Sequence, residues 1–206
     1  MIIECAPDSP PFVLGVWSRL KRSAAEPSLA RRMQKMNGVL ALKSATDHQS
    51  VTIRFDRGHI KLASGVAPDA GLQITLDPSD PDGKPKLKGV VKHLGLALGA
   101  AKVLEPPTKS WQEEARAFWE FAADWPRMPK SMLVVCTDDH AELRLGESGA
   151  PEVELHGTAK NLVRVFSGDA IVTEEWLAGN LHGVATLEHA SVLTGRSIAW
   201  VMGQGR

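Results

Sequence analysis

The 206-residue sequence lacks tyrosine, has only two cysteines and contains no apolar run as long as a membrane span of about eighteen residues. One pair of cysteines, Cys5 and Cys136, does not make the disulfide framework of a small secreted domain, so a reducing compartment is the default. The N-terminal residues also lack the basic and apolar regions of a secretory signal peptide. Together these absences predict a cytoplasmic protein.

A net charge is missing as well, because 24 Lys and Arg residues balance 24 Asp and Glu residues. A balanced chain has no overall electrostatic attraction to nucleic acid, so no nucleic-acid partner is expected. The hydrophobic fraction of 43% is typical of a globular protein with an ordinary core.

Catalytic and metal-binding motifs are absent too. The sequence has no HExxH, no Cys-x-x-Cys and no Gly-x-Ser-x-Gly, and its seven histidines are dispersed. Asp138-Asp139-His140 comes nearest to a metal-binding pattern, but paired aspartates between two short strands more often shape a turn. The sequence therefore predicts no catalytic residue, no metal and no cofactor.

Residues 152–193 contain the clearest pattern of secondary structure. Alternating residues at 153–157 predict a strand, and Thr158 occupies the N-cap position of a following helix. A second, short apolar helix at 171–178 comes next, then a strand at 181–187 and a final helix from about Glu188. This order predicts a compact sheet covered by helices.

The N-terminal half has a different predicted order of secondary structure. Residues 1–11 are expected to be an irregular arm, and helices are expected up to residue 36. Period-two alternation then predicts antiparallel strands between residues 39 and 76, followed by a loop at 77–83.

Both halves of the sequence carry short motifs of apolar and small residues. The N-terminal motifs are Asn-Gly-x-Leu-Ala-Leu-Lys at 37–43, Ser-Val-Thr-Ile-Arg-Phe-Asp at 50–56 and Leu-x-Ile-Thr-Leu at 72–76. The C-terminal motifs are Leu-His-Gly-Thr-Ala at 155–159, Val-Phe-Ser-Gly at 165–168 and the stretch at 176–184. Together these motifs resemble the sterol carrier protein family. The resemblance implies an α+β fold, with an antiparallel or mixed sheet covered on one face by helices. It also implies non-enzymatic binding or transfer of a hydrophobic ligand: a lipid, fatty acyl or sterol-like molecule.

The domain organisation has two interpretations. A second set of strands, at 132–136 and 141–145, partly echoes the first, as in Thr-Ile-Arg-Phe against Glu-Leu-Arg-Leu. Either two family-like sheets share the chain, the first without its closing half, or one enlarged sheet carries inserted helices. We predict an N-terminal arm with helices at 1–36 and a sterol-carrier-like domain at 37–206, with helices inserted at about 84–125.

The first inserted helix is predicted over residues 86–104. Its basic residues Lys86, Lys88 and Lys92 could make transient contact with an anionic membrane, although a core helix with a lysine-rich outer face is the commoner arrangement. The second inserted helix starts at the capping-box sequence Ser-Trp-Gln-Glu at 110–113. Its aromatic residues suit a core face, or the interface of a homodimer.

The family resemblance places a hydrophobic-ligand site between the sheet and the last three helices. The candidate lining residues are Leu162, Val165, Phe166, Trp176, Leu177, Val192, Leu193 and Trp200. Two alternatives stay open at this point. One is a ligand-free interaction or scaffold protein, and the other is the accessory ligand-binding part of a multi-subunit enzyme.

Overall fold

A computed structural model describes residues 1–77 and 83–204, and the chain divides into two compact units at Pro107. The helices of the first unit are α1 (Pro11–Ala25), α2 (Pro27–Met33) and α3 (Leu94–Leu104). Its strands are β1 (Ile2–Glu4), β2 (Asn37–Ser44), β3 (Ser50–Asp56), β4 (His59–Ser64), β5 (Leu72–Leu76) and β6 (Lys86–Lys88).

The second unit begins at Thr108. Its helices are α4 (Trp111–Ala122), α5 (Ala159–Phe166), α6 (Val172–Leu177) and α7 (Leu187–Val201). Its strands are β7 (Ser131–Cys136), β8 (Glu142–Gly146), β9 (Val153–Gly157) and β10 (Leu181–Val184). Helices and mixed sheets in both units confirm the predicted α+β class.

Each unit contains its own sheet, so the two sets of strands do not form one enlarged sheet. The strand order is β1-β4-β3-β2-β5-β6 in the first unit and β10-β9-β7-β8 in the second. The first two strands of each central set, β2–β3 and β7–β8, pair antiparallel. A later strand then pairs parallel to the first, as β5 does to β2 and β9 to β7. An antiparallel edge strand, β6 or β10, completes each set, so the spatial order β3-β2-β5-β6 matches β8-β7-β9-β10. The connections differ, because β4 precedes β5 in the first unit, whereas α5 and α6 lie between β9 and β10 in the second.

The domain boundary differs from the predicted division at residues 36 and 37, which falls inside the first unit. The physical reason is that the N-terminal helices supply core residues to the sheet that follows them. Val13, Leu20 and Met33 are fully buried and pack in one cluster with Leu40 and Ile53 of the sheet. The helices predicted as one insertion at 84–125 are likewise divided between the units, α3 in the first and α4 in the second.

The prediction of one helix over residues 86–104 is wrong for its first part. Residues 86–88 form β6, in which Leu87 pairs with Ile74 at the edge of the sheet. Gly89 then takes φ +88, a left-handed conformation that favours glycine, and a short 3-10 helix precedes α3 at Leu94. Hydrogen bonding to the open edge of β5 outweighs the local helical periodicity.

The N-terminal arm is also more ordered than predicted. Its residues 2–4 form β1, which adds in parallel to β4 with Ile3 opposite Ile60. The loop predicted at 77–83 lies mostly outside the described residues. No helix within residues 1–77 or 83–204 combines the length and the apolar character that crossing a bilayer requires.

Candidate functional site

Most of the predicted ligand-lining residues lie in the core of the second unit. Those that are buried there are Leu162, Val165, Phe166, Leu193 and Trp200. Trp176 and Val192 are partly buried against the same cluster. Leu177 lies outside this core and is 90% exposed at the end of α6, because that short helix turns Val172 and Glu175 inward instead.

Aromatic packing holds this group together. The ring of Phe118 on α4 lies 5.7 Å from that of Phe166 and 6.1 Å from that of Trp200, measured between centroids. The indole Nε1–H of Trp200 donates to the Phe166 carbonyl at 2.7 Å. The predicted liners therefore contact one another as core side chains. Trp111 and Phe118 of α4 are buried in the same core, while Trp119 and Phe121 are partly buried against it. The homodimer stays a prediction.

A buried arginine near this core was missed by the sequence reasoning. Arg196 on α7 is only 8% exposed, and its guanidinium stacks between the rings of Phe121 and Trp125, at 3.8 and 4.4 Å from their centroids. Its Nη2 donates to the Phe121 carbonyl at 2.9 Å. Burial lowers the pKa of Arg196 from its ordinary value, because desolvation disfavours the charged form. The stacking is a structural cation–π contact between α7 and the end of α4.

The buried carboxylate of the second unit is also accounted for structurally. Glu175, 6% exposed, forms an ion pair with Arg164 at 3.1 Å and accepts a 2.8 Å hydrogen bond from Asn180 Nδ2. These partners satisfy the carboxylate, as buried charges require. Such a network stabilises the α5–α6 region without offering a free acid or base.

The Asp138-Asp139 pair has the turn role predicted for it. Asp139 accepts the N–H of Ala141 at 3.0 Å, a contact that lowers the pKa of Asp139, and Asp138 accepts the N–H of Ala159 at the start of α5. Across the described residues, no three His, Cys, Asp or Glu side chains are grouped as metal ligands would be.

An open groove of about 740 Å³ lies in the first unit, between α2, the start of β2 and α3. Its lining residues are Ser28, Arg31, Arg32, Lys35, Met36, Asn37, Gly95, Leu96 and Gly99. We refer to it below as the α2–α3 groove. It combines an apolar floor with a cationic rim, so it can accommodate a molecule that has both characters.

The floor consists of Met36 and Leu96, which are 7% and 9% exposed and belong to the core of the first unit. Gly99 lets Met36 pack closely, since a Cβ there would lie 3.2 Å from the Met36 sulfur. Gly95 is different, because a Cβ at this position meets no heavy atom within 4 Å. The groove therefore has open space above Gly95.

The rim consists of the exposed cations Arg31, Arg32 and Lys35. Arg31 Nε donates to the Pro27 carbonyl at 3.2 Å, and within the described residues none of the three forms an ion pair. The sequence indicates a solvated basic helix face at these positions. It gives no sign that α3, some sixty residues later, lies across from them.

An exposed aliphatic segment leads into α3, whose first turns line the groove. Leu87, Val91, Leu94 and Leu98 are 52%, 96%, 56% and 59% exposed. The lysines predicted to contact a membrane, Lys86, Lys88 and Lys92, are exposed in the same segment. No acidic residue occurs in the sequence between positions 83 and 104. Large exposed apolar side chains grouped in this way mark an interaction surface.

A second opening, of about 680 Å³, is lined by Met1, Ile3, Trp17 and the end of α1. Trp17 Nε1 donates to the Ile3 carbonyl, and the Lys21 ammonium lies 4.5 Å from the centroid of the Trp17 ring. Lys21 and Arg22 share the wall of this opening with Ala24 and Ala25. The α2–α3 groove, whose floor is formed by the buried side chains of Met36 and Leu96, is taken as the candidate ligand site.

Comparisons with known proteins give one structural similarity. No protein-family model and no curated protein matches the chain. Among solved structures, the chain is similar to one named "UbiJ-SCP2 Ubiquinone synthesis protein", with 11% sequence identity and a TM-score of 0.30. The match covers 95% of this chain and 96% of the other.

Proposed function

We propose that the protein binds a hydrophobic ligand in the α2–α3 groove and carries it without chemical conversion. The observation that carries the proposal is the groove itself, with buried Met36 and Leu96 beneath an open volume of about 740 Å³. That volume falls within the range of about 300–1,000 Å³ typical of ligand pockets. The predicted liners in the second unit pack against each other instead, so the first unit is the better location for the ligand.

The expected affinity follows from the apolar area that such a ligand would bury. Each methylene group removed from water contributes about 0.8 kcal/mol, so ten of them contribute about 8 kcal/mol. The loss of translational and rotational freedom on association subtracts several kcal/mol from this gain. Assays should therefore cover micromolar to millimolar concentrations.

Replacement of Gly95 by tryptophan tests the location of the site. The indole would enter the open space over Gly95, and the exchange also removes a helix-destabilising glycine, so the variant should fold. We expect a neutral, fluorescently labelled long-chain alcohol to bind the delipidated wild-type chain saturably, and Gly95→Trp to weaken that binding at least about tenfold, or about 1.4 kcal/mol.

The matched control is Gly195→Trp. Gly195 is also an exposed helical glycine with no heavy atom within 4 Å of an added Cβ, but it lies on α7 of the second unit. This variant should bind the labelled alcohol like the wild type. Equal binding by wild type and Gly95→Trp would place the ligand elsewhere. Absence of saturable binding to the wild type would refute the carrier function.

We also propose that the exposed aliphatic segment touches an anionic membrane when ligand is exchanged. The proposal is supported by the alternation of exposed lysines with Leu87, Val91, Leu94 and Leu98. Basic side chains near an anionic surface contribute about 1 kcal/mol each, so Lys86, Lys88 and Lys92 would together supply about 3 kcal/mol at moderate salt. The aliphatic side chains would add hydrophobic contact.

Vesicle co-sedimentation tests this contact. We expect binding to vesicles that contain phosphatidylglycerol and little binding to pure phosphatidylcholine. Val91→Asp should abolish the binding, because it places a charge at the most exposed aliphatic position of the segment. Val66→Asp, at another exposed valine of the first unit, is the control. Equal loss in both variants would argue against a specific contact surface.

A further inference from the structure

We propose that the ligand of the α2–α3 groove is an anionic amphiphile, and that Arg31, Arg32 and Lys35 bind its negatively charged headgroup. The inference rests on the proposed function, which it deepens by naming the class of ligand. Its chemistry is an aliphatic chain that ends in a carboxylate or a phosphate.

The three cations lie close together along the chain at the end of α2. Arg31 and Arg32 belong to its last turn, and Lys35 lies two residues beyond its last residue, Met33. All three line the groove together with Leu96 and its neighbouring glycines. A headgroup at the rim would thus stand directly beside an apolar surface for its chain.

The charge of this rim is not compensated. The lining residues include three cations and no acidic side chain. Two other exposed cations of the same unit do have partners, since Arg54 pairs with Asp69 at 2.6 Å and Lys61 with Glu4 at 3.3 Å. The lysines of the exposed aliphatic segment form no ion pair within the described residues. Basic residues favour the C-terminal turn of a helix, but Lys35 lies beyond the end of α2 at Met33. The helix dipole alone therefore does not explain the cluster.

The cation types fit the proposed headgroups. A guanidinium presents parallel N–H donors that match a carboxylate or a phosphate in a bidentate arrangement. Lysine adds a compact positive charge. A neutral headgroup such as a sterol hydroxyl would use none of this charge, and a cationic headgroup would be repelled by it.

Displacement of the labelled alcohol from the full chain tests the inference. The competitors are palmitate, the monoacyl phosphate with the same chain, hexadecanol and inorganic phosphate. We expect the two anionic amphiphiles to compete about tenfold better than hexadecanol, equivalent to about 1.4 kcal/mol. That advantage should shrink as salt is raised, because exposed charges are screened. The ratio of palmitate to acyl phosphate then tells which anion is preferred.

In the triple variant R31Q/R32Q/K35Q, palmitate and the acyl phosphate should compete only as strongly as hexadecanol does. The competition by hexadecanol itself should be unchanged. A matched variant, K109Q/R116Q/K130Q, removes the same charge from exposed positions of the second unit and should keep the preference. If the triple variant does not fold, the salt dependence of the anions' advantage over hexadecanol in the wild type tests the same point.

The outcomes separate the two proposals. Equal competition by hexadecanol and the anions, with Gly95→Trp still blocking binding, would overturn the headgroup assignment and leave the carrier function standing. Displacement by inorganic phosphate at the concentrations effective for the amphiphiles would also overturn it, since the chain would then contribute nothing. No binding of the labelled alcohol at all would refute the carrier function first.

Discussion

Replacement of Phe166 by alanine distinguishes a packed core in the second unit from a ligand-lined cavity. Phe166 is fully buried, its ring lies 5.7 Å from that of Phe118, and its carbonyl accepts the Trp200 indole N–H at 2.7 Å. Removal of a ring from a packed core sacrifices transfer free energy and leaves a cavity, which together cost about 3–5 kcal/mol for Phe→Ala. A ring that faced a ligand-filled space would cost far less, because fewer protein atoms surround it.

Guanidinium unfolding followed by circular dichroism gives the free energy of unfolding. Because two compact units need not unfold together, hydrogen exchange of peptides from each unit should accompany it. We expect a loss of about 3–5 kcal/mol in the second unit, with exchange in the first unit unchanged. Leu177→Ala, at a predicted liner that is 90% exposed, should change stability by less than about 0.5 kcal/mol.

Ligand binding gives a functional readout for the same substitution. Binding of the labelled alcohol should survive Phe166→Ala under conditions in which the variant is folded, because the groove lies in the first unit. A stability loss below about 1.5 kcal/mol, well under the range for packed aromatics, combined with lost binding would show that Phe166 lines the ligand site. The location proposed here would then be wrong.

Three further changes test local features. Thr158→Ala should destabilise the second unit by about 1 kcal/mol in chemical denaturation, since the Thr158 hydroxyl caps α5 by accepting the Asn161 N–H, and Thr158→Ser should keep most of the stability. The hydrogen bond from Arg54 lowers the pKa of Asp69. The stabilisation from their ion pair is therefore complete above the ordinary aspartate pKa and is lost as the pH falls through the lowered value. In an acid titration followed by circular dichroism, Asp69→Asn should remove this pH-dependent contribution to stability. Arg196→Lys should lower the melting temperature of the second unit more than Arg196→Met does. The reason is that lysine retains the buried charge but loses the planar stacking on Phe121 and Trp125. Equal melting temperatures of the two variants would argue against the cation–π contact.

The C-terminal elements were predictable because local signals there agree with the tertiary structure. Alternation at 153–157, the Thr158 cap and the short helix near 172 all appear within a residue or two of their predicted places. The first part of the helix predicted over residues 86–104 was not, because the apolar residues at 86–93 also suit an edge strand followed by a turn. The deciding factor is the open edge of β5, which no local pattern reveals.

The groove could not be predicted for a related reason. Its rim comes from α2 and its floor partly from α3, and each segment alone has an ordinary explanation: a solvated basic face and a pair of small residues at Gly95 and Gly99. Only the folding of the first unit brings them together. The predicted liners of the second unit have the apolar pattern of a pocket wall, and the same pattern serves a filled core equally well.

The division of the chain also distributes its two thiols, with Cys5 in the first unit and Cys136 in the second. Cys5 is partly buried near the N-terminus, whereas Cys136 is fully buried at the end of β7. A thiol reagent should therefore label Cys5 in the native protein and reach Cys136 only when the second sheet opens. The rate of the slow labelling phase would thus report the opening of one unit of the natural chain, with no added probe.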